Sequence, residues 1–118
     1  MKDFAKILEE ALMVRDEVLK KQKELAEEII EEALNRFSNV DVREVIIIFD
    51  EQRKQIVLSS ESREGVIGRE YSNLCHANVI YSIIKDILVS EYEQIYFLKD
   101  KLSIQIHDDT EDISFKLK

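Results

Sequence analysis

Apolar residues recur at helical steps from the very start of the chain. Phe4, Leu8, Ala11, Val18, Leu25 and Ile29 mark one stripe, and Ile7, Leu12, Ala26, Ile30, Ala33 and Leu34 widen it. The positions between them are mostly Glu, Lys, Ala and Leu, which are strong helix formers. This spacing predicts one continuous helix from about Asp3 to Phe37, stopped by Asn35 and the Ser38-Asn39 pair. A helical hairpin turning between Arg15 and Glu24 is the competing reading, but no Gly, Pro or Asn is there to make the turn.

Such a helix outgrows its domain. About 35 residues rising ~1.5 Å each span roughly 50 Å, whereas a compact domain of this length is about 35 Å across. Part of the apolar stripe is therefore expected to overhang and to be covered by a symmetry mate. The alternative is a bend in the polar middle that lays the whole helix on its own sheet. The heptad pattern is broken. Phe4, Ala11, Val18 and Leu25 keep one seam, while Arg15 and Gln22 interrupt the companion seam between Leu8 and Ile29. A short helix pairing, or packing onto a partner's sheet, fits this better than a long coiled coil.

Beyond the helix the period changes. Val42 to Phe49 is a β-branched run, apolar on both faces in its second half, as expected of a central strand. Asp50 to Arg53 reads as a turn, and Lys54 to Ser59 as the returning strand of a hairpin. Ser60 to Gly68 reads as a polar loop whose two glycines let the chain turn from sheet to helix. Ser72 or Asn73 is the expected cap of a second helix ending near Ser90, with Leu74, Ala77, Ile80, Tyr81, Ile84, Ile87 and Leu88 on its buried side. Three short strands are expected to follow: Ile95 to Leu98, Leu102 to His107 and Ile113 to Leu117. In the last two, Leu102, Ile104, Ile106, Ile113, Phe115 and Leu117 alternate with polar residues, which predicts one wet face. The fold class expected is α+β, a long helix followed by β-β-α-β-β-β in a mainly antiparallel sheet. One domain is expected over residues 1–118, with 1–37 as oligomerisation element and 42–118 as sheet-and-helix core.

A strand pair, a crossing helix and a three-stranded meander resemble the element order of roadblock, longin and profilin-like domains. Roadblock domains also begin with a helix, commonly dimerise and act as adaptors for small GTPases or membrane complexes. The resemblance therefore implies a dimeric adaptor. It rests on element order across nearly the whole chain, and it has departures: a longer first helix, a hairpin turn without glycine, and a last strand with a wet face where it should be central. A small acidic homodimer of mixed helices and strands is similar to type III secretion chaperones as well, although their terminal helix has no counterpart here.

Composition narrows the function classes. With 17 basic and 25 acidic residues the chain carries −8, a sign that repels nucleic acid and anionic lipid. Neither nucleic acid nor membrane is an expected partner, and no apolar run reaches the ~18 residues of a membrane span. Cys75 is the single cysteine, so an internal disulfide is excluded and a reducing compartment is expected. The start Met1-Lys2-Asp3-Phe4 does not read as a secretory signal. Together these predict the cytoplasm.

The chemistry-bearing residues are few. Cys75 and His76 are adjacent, but neighbouring helical side chains diverge by about 100° and no orienting group is evident. One cysteine with His76 and His107 falls short of a structural zinc site. The acidic run from His107 to Asp112 lacks the alternating ligands and glycine turn of a calcium loop. Gly65-Val66-Ile67-Gly68 is followed by Arg69-Glu70, where a phosphate-cradling loop would need Lys and Ser or Thr. Gly68 and Arg69 ahead of a helix could still receive an anion. Glu27, Glu28, Glu31 and Glu32, with Glu9 and Glu10 upstream, read as a solvated ridge or a docking face for a basic partner. Tyr71, Tyr81, Tyr92 and Tyr96 read as core and rim aromatics.

No catalytic set, metal site or cofactor is expected. The leading expectation is a non-enzymatic homo-oligomer, a dimer first, of adaptor, chaperone or inhibitor type. Its contact residues are Phe4, Ile7, Leu8, Ala11, Leu12 and Val18. The rival is a small anionic-ligand domain or small enzyme using Gly65, Gly68, Arg69 and His76.

Overall fold

A computed structural model describes the chain apart from Asn73, Cys75, Glu91, Tyr92 and the side chain of Glu93. The first helix, α1 (Phe4–Asn35), is continuous and ends in a short 3-10 turn at Arg36–Ser38. Asp3 opens it, its side-chain oxygen accepting from the Lys6 N–H at 3.1 Å and so satisfying one of the unpaired donors of the first turn. The molecule measures 67 × 33 × 26 Å, with a radius of gyration of 17.3 Å. A compact chain of this length would have a radius near 13.5 Å, so something projects. The projection is the N-terminal half of α1: every residue through Lys21 is exposed, and burial begins at Gln22.

One antiparallel sheet holds β1 (Glu44–Asp50), β2 (Gln55–Ser62), β3 (Gly65–Tyr71), β4 (Leu102–His107) and β5 (Asp112–Leu117), in the order β3-β2-β1-β5-β4. Between β3 and β4 run α2 (Ala77–Val89) and α3 (Glu93–Lys101). The α+β class and the mainly antiparallel sheet are as the sequence predicts, and β1 is central. The register places Val45, Ile47, Ile56, Leu58, Ile113 and Phe115 on one face, where the C-terminal half of α1 and α2 cover them. Fully buried Ile29 and Ala33 from α1 and Ile84 from α2 complete this core. Each large aliphatic side chain so buried contributes about 1.5–3 kcal/mol. The opposite sheet face carries half-buried Ile46, Ile48 and Val57 among polar side chains.

The element order differs from the expected one in two places. Residues 65–71, read as the end of a loop and the approach to a helix, form the edge strand β3. Gly65 does supply a turn, at φ +124°, but it turns strand to strand, and Gly68 sits inside β3 opposite Ser59. A Cβ at Gly68 would meet only the Leu58 carbonyl at 3.8 Å, so no close approach requires glycine there. Ile95 to Leu98, read as a strand, lies within α3. The apolar positions that turn inward, Ile95, Leu98 and Leu102, keep helical spacing, while Tyr96 and Phe97 face out. Flanking Glu93-Gln94 and Lys99-Asp100-Lys101 extend the helical stretch beyond the four apolar residues. Three strands therefore precede the two later helices, which changes the order on which the roadblock and longin resemblance rests.

Smaller differences have local causes. α2 begins at Ala77 behind His76, not behind Ser72; the other expected cap, Asn73, lies outside the described residues. The glycine-free β1–β2 hairpin closes through Lys54 in the left-handed region (φ 51°) and an Asp50 carboxylate accepting from the Arg53 N–H at 3.1 Å. Leu117 is on the covered side of the sheet but beyond its cover, 55% exposed.

Candidate functional site

The projecting half of α1 shows the same apolar face that its other half buries. At roughly 100° per residue, Phe4, Ile7, Leu8, Ala11 and Val18 fall on the side of the helix occupied by Ala26, Ile29 and Ala33. Ala26, Ile29 and Ala33 are 0% exposed, whereas Phe4 is 71% and Leu8 58% exposed. Of the six residues expected at an interface, Ile7, Ala11, Leu12 and Val18 are likewise exposed. Sequence reading missed Val14 and Leu19, also exposed on the same stripe. Their signal was present: each stands two turns after a member already recognised, Ile7 and Leu12. Arg15 is the one charged side chain in the middle of this face.

Where α1 enters the body, the stripe runs into an apolar groove of about 310 Å³ lined by Val18, Gln22, Leu25, Leu74, His76 and Ile80. Its walls come from α1, from the start of α2 and from the segment leading into α2. His76 takes the left-handed conformation there, φ 60° and ψ 50°, an uncommon choice for a residue with a Cβ. The exposed stripe and the groove thus form one continuous apolar surface.

The residues expected to hold an anion are dispersed. Gly65 lies at the β2–β3 turn, Gly68 within β3, and His76 in the groove. Arg69 is directed to α1: its guanidinium is 3.7 Å from the Glu32 carboxylate and lies over the Tyr71 ring at 4.7 Å. Glu32 also meets Arg36 at 3.5 Å, and Arg36 donates to Ser60 Oγ at 2.9 Å and to the Ile67 carbonyl at 3.2 Å. This arrangement fastens the edge strand β3 to the helix. One member of the acidic ridge is therefore a structural clamp, while Glu27, Glu28 and Glu31 are exposed. The Cys75–His76 pair falls partly outside the described residues.

Other polar groups have structural roles. His107 Nε2 and Ser114 Oγ are 3.4 Å apart on the open sheet face. Ser114 belongs to β5, which is paired on both sides, to Ile46 and Gln105, so its backbone is engaged in the sheet rather than available to an oxyanion. The acidic run forms the β4–β5 connection, with Asp108 3.8 Å from Lys85. Among the described residues, no group of three His, Cys, Asp or Glu is placed to hold a metal ion. Among them too, no helix is long and apolar enough to cross a membrane. Tyr81 stacks on Phe49 with ring centroids 5.3 Å apart, and its hydroxyl is buried without a hydrogen-bond partner. Burial first, and then the nearby Asp112, Asp108 and Glu111 carboxylates, push its pKa from 10.0 up to about 12. Burial also raises the pKa of Tyr71, whose hydroxyl is likewise unpartnered. Tyr96 is exposed, and Tyr92 lies outside the described residues.

Comparison with protein-family models, curated proteins and solved structures found no match.

Proposed function

We propose that the chain is a non-enzymatic interaction module, of adaptor, chaperone or inhibitor type, that works in the cytoplasm as a homodimer. One observation carries this reading. About five turns of α1 stand clear of the body with Phe4, Ile7, Leu8, Leu12, Val14, Val18 and Leu19 in solvent, on the face that is buried wherever the body reaches it. A contiguous apolar face of that length, rimmed by charge, is the mark of an association surface. Covering it with the same face of a second copy gives a closed, two-fold arrangement. The anion-binding alternative draws no support from Arg69, whose charge is already met by Glu32.

The test is the mass of the intact chain in solution. Leu8→Asp puts a carboxylate in the middle of the stripe, at a position that contacts nothing buried, and is expected to convert dimer to monomer with the fold unchanged. A wild-type dimer whose mass Leu8→Asp leaves unaltered would remove α1 from the interface.

A further inference from the structure

The distribution of charge along the projecting helix specifies how two copies meet. Resting on the reading of α1 as a self-association face, we infer that the helices pair antiparallel about a two-fold axis between Arg15 and Asp16. In this register the tip of each helix seats in the groove of the other copy's body.

The argument begins with the flanks of the stripe. Glu10 and Lys21 are about three turns apart and project from the same flank. In an antiparallel two-fold pair each flank faces its own equivalent. Glu10 of one copy therefore meets Lys21 of the second, and Lys21 meets Glu10, when facing positions have residue numbers adding to about 31. That register also brings Leu12 opposite Leu19, and it sets Arg15, the charge in the centre of the stripe, level with both Arg15 and Asp16 of the second copy. Sliding by one helical turn destroys the match: Glu10 then meets Glu17 in one direction and Glu24 in the other. A parallel pair in register fares no better. It sets Glu9-Glu10, Asp16-Glu17 and Lys20-Lys21 each level with its own copy.

The same register accounts for the groove. Ile7 of the second copy falls opposite the stretch between Gln22 and Leu25, and Phe4 one turn deeper, toward Leu74 and Ile80. Lys21 lines the rim of that groove, which places it beside the incoming helix. The two bodies then sit at opposite ends of a shared helical segment roughly 35 Å long, and the apolar stripe of each copy is covered from Phe4 to the groove.

Two experiments on the full-length chain test the register. In the first, sedimentation equilibrium compares Glu10→Lys, Lys21→Glu and the double variant. Each single change is expected to weaken the dimer roughly tenfold, because it turns two attractive pairs into two repulsive ones. The double change, which restores both pairs, is expected to bring the dimer back to within a few-fold of wild type. In the second, a Cys75→Ser background carries either Val14→Cys or Ala5→Cys and is treated with a short bismaleimide. Val14 lies ~5 Å along the axis from its counterpart and is expected to cross-link, whereas Ala5 lies ~32 Å away and is expected not to. A dimer that cross-links through Ala5→Cys, that fails to cross-link through Val14→Cys, or that stays weak in the charge-swapped double variant overturns the register while leaving self-association intact. A wild-type chain that is monomeric at every concentration overturns both.

Discussion

The two halves of α1 are one helix with one stripe and opposite surroundings. From Gln22 onward, Ala26, Ile29, Ile30 and Ala33 are sealed against the sheet and α2. Before Gln22, residues of the same kind on the same face stand in solvent. Helical periodicity declares which side of a helix is to be covered, but it carries no information on what covers it. The whole molecule is 33 × 26 Å in its two shorter dimensions, while a helix of this length is about 48 Å long. The body therefore reaches only part of it. The covered half contributes to the core, and the other half carries the proposed association face.

The sharpest way to break this contrast is a matched pair of truncations. Ile29→Ala is expected to cost about 3–4 kcal/mol of folding stability, since it empties a fully buried site. Leu8→Ala, measured at concentrations where the chain is monomeric, is expected to change stability by less than about 0.5 kcal/mol. Urea unfolding of both variants checks the contrast; a comparable loss at Leu8 would mean that the projecting half is already packed within the monomer. A smaller effect is expected at the clamp between α1 and β3. Arg36→Met removes the donors to Ser60 and to the Ile67 carbonyl, for an expected loss of about 2 kcal/mol. Hydrogen exchange should then show β3 opening before β1. Arg69→Ala, acting on a half-exposed ion pair and one aromatic face, is expected to cost at most about 1 kcal/mol.

The smallest expected effect concerns Tyr81. Its hydroxyl makes no hydrogen bond in the core, so Tyr81→Phe is expected to be neutral or to stabilise by up to about 1 kcal/mol. The pH dependence has a definite sign. The folded protein holds the Tyr81 proton to about pH 12, whereas the unfolded chain releases it near 10.0. This contribution to stability is complete below pH 10 and declines as pH rises from 10 toward 12. Alkaline titration followed by tyrosinate absorbance should show Tyr71 and Tyr81 ionising later in the folded protein than in the unfolded chain. Ionisation of these two at the ordinary value of 10.0 would contradict the burial described for them.

Much of this was legible in the residues, and the limits have physical causes. The long helix, its projection, the central strand and the alternating β4 and β5 could be read because periodicity of 3.6 or 2 persists over enough positions to be unmistakable. β3 was hidden because its glycines and charges read as loop, whereas an edge strand tolerates both, being paired on one side only. α3 was hidden because Ile95 to Leu98 is a β-prone run, and only the longer spacing of Ile95, Leu98 and Leu102 discloses the helix. On the candidate surface, the exposed stripe was legible, but the groove was not. It joins Leu25 with Leu74 and Ile80, residues brought together by the packing of α1 on α2 and by no local pattern. Arg69 misled for the same reason, since its partner Glu32 is distant in sequence.

The most direct test of the central claim is sedimentation equilibrium of the intact chain over a wide concentration range, with Leu8→Asp run beside it. A wild-type mass of twice the 13.9 kDa chain, falling to the single-chain mass in Leu8→Asp, is the expected result. A wild-type chain that remains at the single-chain mass throughout would contradict it, and the exposed face of α1 would not be a self-association surface.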